Sequence, residues 1–191
     1  MTDEKILETF KSTNALLEGH FLLTSGRHSN KYFQCAQVLQ YTKQTSEICQ
    51  VLAEEYKDKN IETVIAPAIG GIVVGQEVAR QLGARFIWAE REDKKMTLRR
   101  SFEIKKGERV LVCEDVVTTG GSVQEVIDIA KEKGAVVVGV GVIVDRSNGK
   151  ADFGVPMKST LQLEVISYEP DNCPICKEGL ELVKPGSRKI K

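Results

Sequence analysis

The chain has 191 residues, enough for one domain with a sizeable core, and its 27 basic and 27 acidic side chains balance to zero formal charge. That balance removes any electrostatic case for nucleic acid as the main partner, so an anion site must come from local placement of Lys and Arg. Residues 1–10 are charged and amphipathic, no later apolar run is long enough to span a bilayer, and the five cysteines are odd in number, so a cytoplasmic protein with reduced thiols is expected.

Ile6, Leu7 and Phe10 recur at helical spacing behind Asp3, which can cap a first short helix. Residues 19–34 predict two extended pieces around a Ser-Gly turn and carry both histidines, His20 and His28, with the aromatic pair Tyr32 and Phe33. For either histidine alone a structural role outweighs a catalytic one. Ile48, Val51, Leu52 and Tyr56 mark a second helix that should pack on a sheet. A strand over 63–66 runs into Pro67-Ala68-Ile69-Gly70-Gly71 and a helix through Val73, Val78, Ala79 and Leu82. The next strand, 84–89, leads to the charged run 90–102. Its low apolar content predicts a mobile, solvated loop when nothing is bound.

Residues 110–122 read Val-Leu-Val-Cys-Glu-Asp-Val-Val-Thr-Thr-Gly-Gly-Ser. An unbroken apolar run with β-branched residues is a strand covered on both faces, and Glu114 and Asp115 at its carboxyl end sit where open α/β sheets place ligands. Behind them, Val116, Val117, Thr118, Thr119, Gly120, Gly121 and Ser122 lead into a helix, offering backbone N–H groups, hydroxyls and two glycines that suit a phosphate. Carboxylates cannot hold that phosphate, so they point to a neutral polyol such as a ribose, or a bridging Mg²⁺, beside it. An acidic pair or a capping serine alone is common at strand and helix ends. The whole string is far more specific.

Val123, Val126, Ile127 and Ala130 give the next helix face, ended near Gly134, and 135–144 should be a central parallel strand. Arg146, just past that strand, is by itself as readily an ion-pair partner of Asp145 as a ligand contact. Leu161, Leu163 and Val165 alternate as a last strand, with Tyr168 out of register. In the tail, Cys173-Pro174-Ile175-Cys176 supplies two metal ligands, not four, and the histidines lie far upstream, so zinc is the less favoured reading there. Alternating strands and helices imply an α/β fold: a mainly parallel twisted sheet flanked by helices, as one domain over 1–191. The N- and C-terminal segments, about 1–40 and part of the tail, should form a small hood on a core of about 41–168.

Glu-Asp-Val-Val-Thr-Thr-Gly-Gly-Ser resembles the 5-phosphoribosyl 1-diphosphate signature of the type I phosphoribosyltransferases, in its orotate phosphoribosyltransferase version. The resemblance spans Gly19 to Arg188 and implies transfer of the 5-phosphoribosyl group to orotate, giving orotidine 5'-phosphate and pyrophosphate. Mg²⁺ would be carried by the diphosphate, with no direct protein ligand. It implies that Glu114 and Asp115 serve the ribose hydroxyls, that residues 117–122 hold the 5'-phosphate, and that Thr118 and Arg146 read orotate. Tyr32 and Phe33 would belong to a hood over the base, and Gly70 to a diphosphate loop where some relatives have lysine. The run 91–101 would be a catalytic lid shared across a homodimer, with Lys95 catalytic and Arg91 on the diphosphate; Arg99 and Arg100 are further candidates. Relatives differ at Thr24 (lysine in some), Thr97 (histidine in some) and Ser101 (commonly glycine). A purine-using sister enzyme would lack a carboxylate for Arg146, and a non-catalytic regulator would need a nucleic-acid surface or added domain that the sequence does not show.

Overall fold

A computed structural model describes residues 1–23 and 25–185, so Thr24 and the Gly186-Ser187-Arg188 end of the tail lie outside the described residues. In chain order the elements are α1 (Asp3–Ser12), β1 (Leu16–Leu22), β2 (His28–Phe33), α2 (Ala36–Leu39), α3 (Thr42–Tyr56), β3 (Thr63–Pro67), α4 (Gly70–Leu82), β4 (Arg85–Glu92) and β5 (Lys95–Leu98). There follow β6 (Arg109–Val117), α5 (Gly121–Glu132), β7 (Val136–Asp145), β8 (Met157–Gln162), β9 (Ser167–Tyr168) and α6 (Pro174–Lys177). No helix among the described residues is long and apolar enough to cross a membrane.

Six strands form the main sheet in the order β5-β4-β3-β6-β7-β8, parallel except for β5. The apolar run of the sequence becomes β6, the strand buried on both faces. Leu111 and Cys113 pack with α3 and α4 through Ile48, Leu52, Val74 and Val78, whereas Val110 and Val112 pack with α5 through Val123, Val126 and Ile127. The chain therefore runs from β3 to β4 over one face and from β6 to β7 over the other. Strand order reverses between β3 and β6, which leaves a crevice at their carboxyl ends.

A second sheet, β1-β2-β9, joins the two ends of the chain. The tail continues onto its edge, where the Leu22 amide donates to Val183 O at 2.9 Å and the Val183 amide to His20 O at 2.9 Å. Arg27 fixes β9 through Ser167 Oγ at 2.8 Å, Ser167 O at 2.6 Å and an ion pair with Glu169. Phe10 and Phe33 meet edge-on at 6.5 Å and seat this sheet on the main core.

Three sequence expectations are corrected. The first helix is capped by Thr2, whose hydroxyl accepts from the Lys5 amide, with Asp3 in the first turn. The run 161–168 is not one strand: it divides between the edge of the main sheet, β8, and the second sheet, β9, which explains the broken register at Tyr168. The charged run 90–102 is not an irregular loop, because β4 and β5 pair through Glu90 with Thr97, Arg91 with Met96 and Glu92 with Lys95. Opposite charges meet across this ribbon, Arg99 with Glu92 at 3.4 Å and Arg100 with Glu90 at 3.0 Å, and Met96 is buried.

Candidate active site

The crevice between β3 and β6 is built by two helix starts. At α4, an ideal Cβ on Gly70 would lie 2.7 Å from both carboxylate oxygens of Asp115, and one on Gly71 would lie 3.0 Å from Glu114 Oε1. Bare backbone at these positions lets the acids of β6 approach the helix N-terminus, where the helix dipole favours negative charge. The Asp115 amide donates to Glu114 Oε1 at 3.0 Å and the Val116 amide to Asp115 Oδ1 at 2.8 Å, which fixes both side chains at the strand end. Burial, reinforced by the adjacent Asp115 carboxylate, pushes the Glu114 carboxyl up to about 9.

At α5, Gly120 takes φ +80°, and a Cβ there would lie 2.6 Å from the Phe153 ring. Only glycine fits this turn, which aims the first N–H groups of α5, all without intrahelical acceptors, outward. They open on a cleft of about 240 Å³ lined by Arg91, Glu114, residues 116–123 and Glu125. Its small size, polar lining and amide donors suit a phosphate.

Arg91 reaches the cleft from β4, donating to Lys94 O at 2.7 Å and pairing with Glu125 at 3.0 Å. Glu125 carries no signal in the sequence, since it occupies an ordinary polar position of α5. Lys95 does not line this cleft. It pairs across the strands with Glu92, not with Arg91, and borders a neighbouring groove lined by Asp128, Ile129, Glu132 and also Glu125, which the groove shares with the cleft. Arg99 and Arg100 are exposed and tied to Glu92 and Glu90, with Arg100 also 5.6 Å over Trp88. Arg100 and Ser101 have φ +58° and +57°, the left-handed conformation that favours glycine.

Arg146 follows β7 and is joined to the phosphate loop by its amide, which donates to Val117 O at 2.8 Å. Its guanidinium lies 5.5 Å over the Phe33 ring, and its Nε is buried without a hydrogen-bond partner among the described residues. Burial lowers its affinity for a proton from the usual arginine range. Asp145, the alternative ion-pair partner, instead accepts from the Ser147 amide at 2.8 Å. Tyr32 and Phe33, consecutive in β2, divide their contacts: Phe33 lies under Arg146, and Tyr32 stands 5.9 Å from Phe21.

The structure thus brings together Glu114, Asp115, Gly70, residues 116–122 and Arg91, with Arg146 and Phe33 at the adjoining strand end, and sets Lys95 apart. A phosphoribosyl transferase domain model matches residues 37–167. Over its full length the chain is 58% identical to the orotate phosphoribosyltransferase of Desulforamulus reducens and 57% identical to that of Caldanaerobacter subterraneus subsp. tengcongensis, covering all of each. The chain belongs to the orotate phosphoribosyltransferase family. Among solved structures it resembles the orotate phosphoribosyltransferase of Aeropyrum pernix, with a TM-score of 0.72 at 28% identity over 83% of this chain and 93% of that one. An adenine phosphoribosyltransferase of Thermoanaerobacter pseudethanolicus, 18% identical with a TM-score of 0.62 over 70% of this chain and 88% of that one, shares the fold.

Sequence reasoning also missed a cluster outside this site. His20, His28, Cys173 and Cys176 place one ligand atom each within 4.8 Å of one another. His20 and Cys173 are 153 residues apart in the chain, and only the pairing of β9 and the tail with the first hairpin brings them together. Two histidines on opposite arms of a hairpin, read with the Cys-x-x-Cys, were the available signal.

Proposed function

We propose that the protein transfers the 5-phosphoribosyl group of 5-phosphoribosyl 1-diphosphate to orotate, giving orotidine 5'-phosphate and pyrophosphate in pyrimidine nucleotide synthesis. The observation that carries the substrate pair is a half-buried guanidinium whose buried Nε has no hydrogen-bond partner among the described residues, Arg146, bonded through its own backbone to a phosphate-sized cradle. A guanidinium fork matches a planar carboxylate or ring oxygen better than an ammonium would. Thr118, exposed in the loop between the two, is the second orotate contact.

In this reading the amides and hydroxyls of residues 118–122 hold the 5'-phosphate, while Glu114 and Asp115 accept from the ribose hydroxyls. Bond breaking builds positive charge at the anomeric carbon and negative charge on the departing diphosphate. The two acids face the first, and Arg91 with Lys95 stabilises the second. Mg²⁺ carried by the diphosphate would neutralise part of the leaving charge. Glu114 and Asp115 offer the oxygen donors such an ion prefers, and would meet it directly or through metal-bound water. Holding both substrates in one crevice supplies the proximity term, and no covalent nucleophile is needed.

The working unit is a homodimer in which Lys95 serves the neighbouring site. Two features support it: Lys95 lies off its own cleft, and Ile69 and Val73 at the start of α4 are apolar and 84% and 44% exposed. The free state of all five cysteines supports a cytoplasmic setting.

The experiment follows orotate consumption by ultraviolet absorbance with 5-phosphoribosyl 1-diphosphate and Mg²⁺, with adenine, hypoxanthine and uracil as competing bases. Turnover of orotate alone is expected. Turnover of a purine would assign the sister activity, and binding of 5-phosphoribosyl 1-diphosphate without turnover of any base would make the protein a regulator.

A further inference from the structure

We propose that His20, His28, Cys173 and Cys176 form a structural zinc site that fastens the C-terminal tail to the β1–β2 hairpin. The ligand atoms all lie within 4.8 Å of one another, close to coordination spacing. His20 Nε2 lies 3.0 Å from His28 Nδ1, 3.5 Å from Cys173 Sγ and 3.6 Å from Cys176 Sγ, and His28 Nδ1 lies 3.3 Å from Cys176 Sγ. A tetrahedral ion with Zn–N of about 2.0–2.1 Å and Zn–S of about 2.3 Å separates its ligand atoms by roughly 3.3–3.8 Å.

The tautomer of His20 gives a second, independent argument. Its Nδ1–H donates to Leu180 O at 2.9 Å, so Nε2 carries the lone pair and faces the cluster. Three neighbours, the second imidazole and two sulfurs, crowd that one lone pair, which accepts from only one of them. His20, His28 and Cys173 are buried, so water does not relieve the crowding. A cation at the common centre does. On binding, each thiol gives up its proton to solvent, and the ion takes two thiolates and two neutral imidazoles.

Two thiolates and two imidazoles in a tetrahedron favour zinc over harder cations, and four protein ligands leave no open position, so the ion is structural. Its position shows what it holds. The second sheet is small, β9 contributes two residues, and among the described residues the tail pairs with β1 as strand backbone only at one bridge, Phe21 with Val183. A sheet of this size is marginal alone. The ion would join β1, the start of β2 and both ends of the Cys-x-x-Cys turn, and so steady the strand that carries Tyr32 and Phe33.

The test uses the full chain without a histidine tag, purified under reducing conditions and dialysed without chelator. Metal analysis should give one zinc per chain. Cys176→Ser, at the exposed corner, and His20→Asn should each be sub-stoichiometric. Cobalt exchanged into the wild-type protein should show the visible absorption of a tetrahedral thiolate complex, which keeps the test decisive should a variant fail to fold. Removing the metal with a chelator should lower Tm by on the order of 5 °C or more, reversed by adding zinc. Metal-free wild-type protein with no cobalt–thiolate band, a Cys173–Cys176 disulfide, or zinc retained in full by both variants would each overturn the proposal.

Discussion

Glu114 is placed for function against its own solvation. Burial and the Asp115 charge hold its carboxyl proton more tightly in the folded chain than in the unfolded one, raising it from 4.5 to about 9. A raised folded-state value means that its contribution to stability is present at low pH and is lost as pH climbs from about 4.5 toward 9. Glu114→Gln should therefore melt at a higher temperature than the wild-type chain at pH 8 and close to it at pH 4.5. Turnover should fall at both pH values, and thermal melts beside orotate assays would expose a variant that is not both more stable and less active. Arg146 is a second such residue. Arg146→Lys keeps a cation but loses the planar fork, so KM for orotate should rise about 10-fold or more while KM for 5-phosphoribosyl 1-diphosphate changes little. A uniform loss in both constants would place Arg146 in the scaffold instead. At Gly120 the positive φ and the Phe153 ring act together, so Gly120→Ala should cost roughly 1–3 kcal/mol and weaken phosphate binding, read as Tm and as KM for the diphosphate substrate.

At the scale of elements, helices α3 and α4 are joined at their outer rim by a small polar network. Gln81 Nε2 donates to Ser46 O at 2.9 Å and to Glu77 Oε1 at 2.6 Å, and Arg80 pairs with Glu77 at 2.7 Å. The Arg80 hydrogen bond, with Gln81 and Ser46, pulls Glu77 down to about 2. A depressed carboxyl contributes stability that is present above about 4.5 and lost as pH falls toward 2. Arg80 is largely exposed, so the contribution is modest, about 0.5–1 kcal/mol at neutral pH. Glu77→Gln should remove it there and should flatten the acid limb of a Tm-against-pH curve between 4.5 and 2; an unchanged limb would discount the network. Elements were also where the sequence was most and least legible. Val110 to Cys113 could be assigned because a strand covered on both faces must be apolar throughout, and the glycines and acids beyond it have few other uses in that order. The ribbon β4–β5 was hidden because residues 90–95 are charged throughout, which masks the period of two until Glu90 is seen to pair with Thr97 and Glu92 with Lys95. Pairing between distant segments, such as β9 with β2, leaves no local pattern at all.

Across the whole molecule, in the proposed reading one chain completes the phosphate cradle but not the charge stabilisation of the leaving group. Arg91 lines the cleft and Lys95 does not, although only three residues separate them, because the turn at Asp93 and Lys94 sends β5 back along β4. If Lys95 acts in the neighbouring subunit, two defects in different chains can complement. Lys95→Ala damages the partner's site, whereas Asp115→Asn damages its own. In a hybrid dimer of these two variants, one site carries both defects and the other carries neither. Each homodimer is inactive. Mixing the two after reversible dissociation should restore about a quarter of wild-type activity, since half of the random dimers are hybrids and each has one intact site. A lid that acts within its own chain gives the opposite result, because every site in the hybrid then holds one defect and no activity returns. Measuring orotate turnover against mixing ratio distinguishes the two, with restoration greatest at equal amounts only in the shared arrangement.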